Sequence, residues 1–371
     1  MKLALVHDDF CQAGGAESLF TTIAQIYPSA PIYVSLVDWQ KLPVSIDPKR
    51  VKTSFIQKIP FAIKFYKALL PLYPLAFESF NFNDYDLVIS STTRFAKAII
   101  TKPKTIHISY VNSIPRFLWE PKTQSNYLPS AARFVLKPFF KWLKRWDMVT
   151  SARPDFYIAN SKNVQEKIKK IYGRNSQVIY PYAATNFYTT AKIHNWELKS
   201  QKYFLIVALL VKWKKIDIAI RAALDLKFPL FIIGDGPDAK RLRSMARNKN
   251  IKFIGKVSPG SLRDYYRNSQ ALIITQNEDF GIAAVEAQSC GVPVVAFSAG
   301  GAMEIVKDGQ TGVFFDKQTP EALEDAIARL NKLKWKVSTA RYNALRFSRS
   351  TFVKEFKKAI EAICPNPLIL K

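Results

Sequence analysis

The chain has 371 residues, 48% of them hydrophobic and 23% charged, and 55 Lys and Arg against 29 Asp and Glu give a formal net charge of +26. That apolar fraction is too high for a disordered chain, and 13 Gly and 3 Cys exclude collagen-like and disulfide-scaffold classes. The length predicts two domains, while Cys11, Cys290 and Cys364, far apart and forming no CxxC pair, point to a reducing cytosol and away from a cysteine zinc site.

The opening MKLALVHDDF turns acidic after a short apolar run, so it reads as a first buried strand and not as a signal peptide. Short, often β-branched runs follow at Leu3–Val6, Ile32–Val37, Leu87–Ser90, Thr105–Tyr110, Phe156–Ala159 and Gln177–Tyr180, with helix-like stretches at Glu17–Tyr27 and Lys162–Tyr172. After a polar, Pro-containing pause at 181–201, strands are expected at Tyr203–Leu210, Leu230–Ile233, Ile251–Ile254, Ala271–Thr275 and Val294–Phe297, with helices starting near Ile216, Asp238 and Ile282. Alternation of this kind predicts an α/β chain with two doubly wound parallel sheets, over residues 1–190 and 200–350. The longest apolar run, Phe204–Val211, falls short of the roughly 20 residues a spanning helix needs.

Positive charge concentrates locally. From Lys97 to Arg145 there are ten basic residues and one acid, Glu120, interleaved with Phe117, Trp119, Phe134, Phe139, Phe140, Trp142 and Trp146. Residues 55–80 mix Lys58, Lys64 and Lys67 with aromatics and aliphatics. Such a surface suits an anionic membrane, at about 1 kcal/mol per Lys or Arg near the headgroups. Two alternatives stand beside it: a core-facing aromatic set with solvated lysines, and, ranked last, a nucleic-acid footprint.

In open parallel sheets ligands bind beyond the carboxyl ends of the strands. The first strand is followed by HDDFCQAGGAE, where Gly14 and Gly15 precede a helix and let backbone N–H groups approach an anion. The same pair also reads as plain turn chemistry, and it matches neither GxGxxG nor GxxxxGK[ST]. After Ala271–Thr275 comes QNEDFGIAAVEAQSCGVPVVAFSAGGAMEI, in which Glu278 and Glu286 are separated by seven intervening residues, among them Gly281, which opens a helix. One carboxylate in the loop and one on the helix can accept hydrogen bonds from paired hydroxyls of a sugar or ribose. Gly300 and Gly301 precede another apparent helix start, a second candidate backbone site for phosphate.

This block resembles the signature of retaining nucleotide-sugar glycosyltransferases of family 4, whose GT-B architecture sets two Rossmann-like domains facing across a cleft. GDGPDAKRLR (Gly234 to Arg243) is similar to that family's second domain. VHDDFCQAGGAE, YVNSIPRFLWE (Tyr110 to Glu120), RWD, DFYIANS and IYPYA resemble the subgroup of O-antigen-type mannosyltransferases. The resemblance implies that Glu278 holds donor-sugar hydroxyls, that the backbone of Phe280, Gly281 and Ile282 seats the sugar and diphosphate, and that Glu286 binds the ribose. It further implies that Gly14 and Gly15 approach the diphosphate and that Lys214, in ALLVKWKKID, stabilises the charge of the leaving diphosphate in place of a metal ion. The substrate implied is a nucleotide-diphosphate sugar, with GDP-mannose favoured and no further cofactor. The acceptor implied is a glycan or lipid-linked hydroxyl, and the place of work the cytoplasm at the inner face of the cell membrane. In this fold the last helix, here residues 351–363, often returns to the first domain.

Two positions depart from the family. Leu209 stands five residues before Lys214 where an arginine is usual, and Asn112 stands where the subgroup has a histidine near the reacting sugar. Lys212 and Lys215 lie nearby but are point donors and not a fork, and Asn112 offers an amide that cannot titrate. These departures leave a catalytically weakened sugar-nucleotide- or membrane-binding homologue as the alternative. Of the histidines, His7 ends the first strand, His107 is expected in the core and His194 in the interdomain stretch, a spacing that predicts no metal site. Asp8, with Asp9 and Glu17, is expected to meet acceptor hydroxyls or cap the adjoining helix, and the stretch from Arg116 to Trp119 either lines the cleft or packs.

Overall fold

In a computed structural model the described residues are 1–12, 14–66, 68–120, 136–190, 202–246 and 249–364. Lys67, Phe134 and His194 lie outside them. The chain divides into two compact units, Met1–Tyr180 with the segment from Val353, and Pro181–Phe352.

The first unit holds β1 (Leu3–His7), β2 (Ile32–Val34), β3 (Val51–Thr53), β4 (Leu87–Thr92), β5 (Ile106–Val111), β6 (Phe156–Ala159) and β7 (Gln177–Val178). They form one parallel sheet in the order β3-β2-β1-β4-β5-β6-β7. The second unit holds β8 (Tyr203–Val207), β9 (Leu230–Ile233), β10 (Ile251–Gly255), β11 (Ser269–Ile274), β12 (Val294–Phe297) and β13 (Gly312–Phe315). These are again parallel, in the order β10-β9-β8-β11-β12-β13. Each unit is therefore Rossmann-like. Strand order reverses between β1 and β4 in one sheet and between β8 and β11 in the other, and at such points a parallel sheet leaves a crevice beyond its carboxyl edge.

Local signals explain the helices. In Lys162–Tyr172 the Ser161 side chain accepts from the Val164 N–H, Gly173 closes the helix at φ 69°, and Val164, Ile168 and Tyr172 turn inward at successive turns. In Pro320–Lys332, Thr319 caps Ala322 and Leu323, Ala326, Ile327 and Leu330 form the buried stripe. Two strands, β3 and β13, were not expected from the sequence. Each is a short edge strand beside turn-rich sequence, so neither offers a period long enough to read. The strand expected over Tyr203–Leu210 stops at Val207, because the chain bends there to meet the loop after β9. A Cβ on Gly234 would lie 1.9 Å from the Ala208 carbonyl oxygen, and one on Gly236 2.3 Å from that of Leu210.

Part of the basic and aromatic band is interior. Lys97 and Asp147 are only 1% and 0% exposed and form an ion pair of 2.6 Å. Asp147 also accepts from Trp119 Nε1 at 2.7 Å and Tyr172 Oη at 2.8 Å. Phe117, Trp119, Phe139, Phe140 and Trp146 pack against the core of the first unit. The expectation of Lys97 and these rings on a membrane-facing surface is thus corrected: the helix Lys137–Thr150 lies over the sheet and turns them inward.

Candidate active site

In the second unit the loop after β8 makes a short turn, Lys212–Lys214, closed by Lys215 in a left-handed conformation (φ 54°) at the start of the helix Ile216–Asp225. That turn brings Lys214 to the carboxyl edge of the sheet, with its ammonium 4.4 Å from the Trp213 ring centroid. The Lys214 carbonyl accepts from Thr275 Oγ1 at 2.7 Å, so the loop after β8 is tied to the end of β11. Across that tie Lys214 Nζ pairs with Glu278 Oε1, which also accepts from Gln276 Nε2 at 2.5 Å. Lys214 and Glu278, far apart in sequence, share one site at the strand-order reversal.

Glu278 is fixed through its backbone as well. Its carbonyl accepts from the Gly301 N–H at 2.9 Å. A Cβ on Gly300, which has φ +68°, would come within 2.2 Å of Asn277 Oδ1 and of the Glu278 carbonyl oxygen, and one on Gly301 within 2.2 Å of the Phe280 carbonyl oxygen. These glycines serve close backbone packing, and the Gly301 amide is already used; the expectation of a phosphate site there is corrected. Phe280 has its ring in the core, 5.4 Å from that of Phe347, so only its backbone can serve a ligand. Gly281 (φ 103°) starts the helix Ile282–Ser289, and its carbonyl accepts from the Ala284 N–H at 2.9 Å. On that helix Glu286 accepts from Tyr266 Oη at 2.8 Å. Burial pushes the Glu286 carboxyl up to about 7, against the opposing hydrogen bonds from Tyr266 and Tyr188. Leu209 is 58% exposed where the family resemblance leads one to expect a cation. Thr275, Gln276 and Tyr266 were not singled out in the sequence; the polar pair directly after β11 was the available signal.

In the first unit the corresponding reversal is occupied by Asp8. Its carboxylate accepts from the backbone amides of Thr93 at 2.5 Å, Arg94 at 3.0 Å, Phe95 at 2.8 Å and Ala96 at 2.9 Å, and from Thr93 Oγ1 at 2.9 Å. Burial opposes ionisation, yet the Arg94 guanidinium, His7 and these amides outweigh it and hold Asp8 below the usual carboxylate range. Asp8 is thus a strap between the ends of β1 and β4, and the expectation that it meets acceptor hydroxyls is replaced. Being depressed, its ionisation stabilises the fold above the ordinary carboxylate pKa, and that contribution is lost as pH falls through the folded value. Asp8→Asn is expected to lower unfolding stability by roughly 3 kcal/mol, since an amide sets two N–H donors against backbone donors. Urea titration measures it, and a loss under about 1 kcal/mol would show that the loop finds other acceptors.

Arg94 pairs with Asp9 and was missed in the sequence. Gly14 starts the helix Gly15–Ile26 in extended backbone, and a Cβ there would lie 2.9 Å from Glu17 Oε2. Burial raises the Glu17 carboxyl, with His7 opposing. His7 Nδ1 bonds the Ser91 carbonyl at 3.0 Å, and its buried Nε2 has no hydrogen-bond partner among the described residues. Asn112 donates to Ser91 Oγ at 2.9 Å, while Arg116 stands 3.8 Å from Glu120 in an ion pair at the next strand exit. His107 is in the core, bonded to Ser90 at 2.8 Å, and burial pushes it down to about 3. Among the described residues no group of three or more His, Cys, Asp or Glu could hold a metal ion, and no helix is long and apolar enough to cross a membrane.

Residues 190–346, which contain Lys214, Glu278 and Glu286, match the family model described as glycosyl transferases group 1. The matched segment is similar to a glycosyltransferase group 1 domain and covers less than half of the chain. An uncharacterised glycosyltransferase of Methanocaldococcus jannaschii is 25% identical over 333 residues, 82% of this chain and 80% of that one. A D-inositol 3-phosphate glycosyltransferase of Acidothermus cellulolyticus is 34% identical over 146 residues, 34% of this chain and 32% of that one, so the likeness spans about a third of either protein. In fold, the crystal structure of Anabaena HepE in complex with UDP-glucose superposes with a TM-score of 0.73 at 20% identity, covering 98% of this chain and 100% of that one. The chain has the GT-B fold of two Rossmann-like domains, and the segment that matches the group 1 model lies in its second unit.

Proposed function

We propose that this protein is a retaining, metal-independent hexosyltransferase that takes a nucleotide-diphosphate sugar, GDP-mannose first among donors, and transfers the hexose to a glycan or lipid-linked hydroxyl. It would work in the cytoplasm at the inner face of the cell membrane. The observation that carries this reading is the meeting of Lys214 with Glu278 at the strand-order reversal of the group 1 domain. A diphosphate arriving at Lys214 exchanges one anionic partner for another, and Glu278 is then released to accept hydrogen bonds from the sugar. In the transfer, the acceptor oxygen bonds to the anomeric carbon as the bond from that carbon to the diphosphate oxygen breaks. The electron pair of the broken bond stays on the diphosphate, where Lys214 stabilises it, and the acceptor proton passes to a phosphate oxygen. Gly14, Gly15 and the backbone of Phe280, Gly281 and Ile282 are assigned to the donor, Asn112 and Arg116 to the reacting sugar and acceptor. Exposed Leu209 favours the second reading, a weakened homologue that binds donor without turning it over.

Glu286 provides the test. Ribose hydroxyls donate best to an ionised carboxylate, so donor affinity is expected to rise as pH climbs through about 7. The fold responds in the opposite sense. Because the folded pKa is raised above the ordinary glutamate value of 4.5, the neutral acid's contribution to stability is complete below that value and is lost as pH rises through about 7. Glu286→Gln should flatten both trends. Calorimetric titration with GDP-mannose and with UDP-glucose, the donor bound in the HepE structure, together with turnover on a lipid-linked acceptor, measures them. Absence of binding and transfer with every nucleotide sugar overturns the function, and binding without turnover selects the second reading.

A further inference from the structure

Beyond the rings that pack inward after Lys97, the first unit carries further outward apolar surface. The stretch after β3 presents Phe61 at 74% exposure and Phe65 at 53%, while Ala62 between them is buried in the core. Phe61 has φ +59°, a left-handed backbone that a bulky aromatic residue rarely adopts, and that conformation holds the ring in water. Strained, exposed aromatic positions persist where the surrounding fold imposes them, and they cluster at contact sites. The charge around them has one sign. From Pro48 to Phe77 the chain contains no Asp or Glu, and Lys58 and Lys64 are exposed with no ion-pair partner among the described residues. The helix Lys137–Thr150 covers the same core cluster and adds a second outward stripe. Trp142 and Val149 are exposed on it at helical spacing with Arg145 between them, and its one acid, Asp147, is consumed inside the fold.

We propose that this face, the Phe61–Phe65 turn with the outer stripe of the helix Lys137–Thr150, docks on an anionic lipid bilayer. It extends the reading of a lipid-linked acceptor, but its physical basis is independent of the transfer chemistry. Rings at the acyl boundary with ammonium groups in the phosphate layer are what an interfacial anchor needs. Lys64 Nζ lies 5.6 Å from the Phe65 ring centroid, so ring and charge project together. A nucleic acid needs the ring face for base stacking, and one face of Phe65 carries Lys64.

The test is flotation of the full chain with phosphatidylcholine vesicles, alone or mixed with phosphatidylglycerol. The chain is expected to float only with the mixed vesicles. Lys58→Glu with Lys64→Glu should cut partitioning at least ~10-fold, and Phe61→Ser with Phe65→Ser should cut it with thermal stability retained. Equal binding to both vesicle types, binding to neither, or variants that float like the parent chain overturns the proposal, as does displacement from vesicles by an oligonucleotide through the same lysines. Transfer to a water-soluble acceptor, assayed in parallel, should be unchanged in these variants. Vesicle binding without any donor turnover would leave the docking face standing and the transferase reading overturned; turnover without vesicle binding does the reverse.

Discussion

Lys214→Ala is expected to lower kcat/KM for sugar transfer by about 100- to 1,000-fold, the usual loss when one preorganised donor to a developing oxyanion is removed. Glu278→Ala should cost a similar factor. The geometry adds a sharper expectation. Because the two side chains share a contact through Glu278 Oε1, each single substitution also leaves its partner without its counter-charge. Removing both should therefore cost less than the product of the single losses. A double-mutant cycle on kcat/KM measures the coupling. Strict additivity, or full activity in either single variant, would remove the pair from the reaction. Neither side chain belongs to the hydrophobic core, so the melting temperature should move little.

The second large effect is on stability. Lys97→Ala leaves the Asp147 carboxylate buried without its cation, and breaking a buried pair in this way typically costs about 3–5 kcal/mol. Asp147 also holds Trp119 and Tyr172, so it joins the short helix after β5 to the helix Lys162–Tyr172. The combination Lys97→Met with Asp147→Asn removes the stranded charge and keeps an acceptor for both rings, and it should lose less stability than Lys97→Ala alone. Urea midpoints decide it. A single-variant loss under about 1 kcal/mol would mean that solvent reaches the pair.

These two pairs mark how far the sequence could be read. Lys214 and Glu278 were both named from the sequence, Lys214 through the family resemblance and Glu278 through its spacing to Glu286 together with that resemblance, but their contact was not. Asp8 shows the opposite limit. An acid after the first strand beside two glycines looks available to a ligand, until the turn after β4, 85 residues on, folds its amides onto the carboxylate. Gly300 and Gly301 were read as a phosphate cradle, yet only the position of the loop from Asn277 to Phe280 reveals that a side chain would collide there. Lys97 fell in a run of basic residues, and the helix that buries it begins some 40 residues later.

The sequence by itself determined the α/β alternation and the two sheets, because side-chain period and turn residues are local properties. Only the tertiary structure decided which charges are spent on the protein and which remain for a ligand. Burial and pairing depend on neighbours brought together across the whole chain, and a buried charge is held by whatever partner lies within a few ångströms, however distant in sequence.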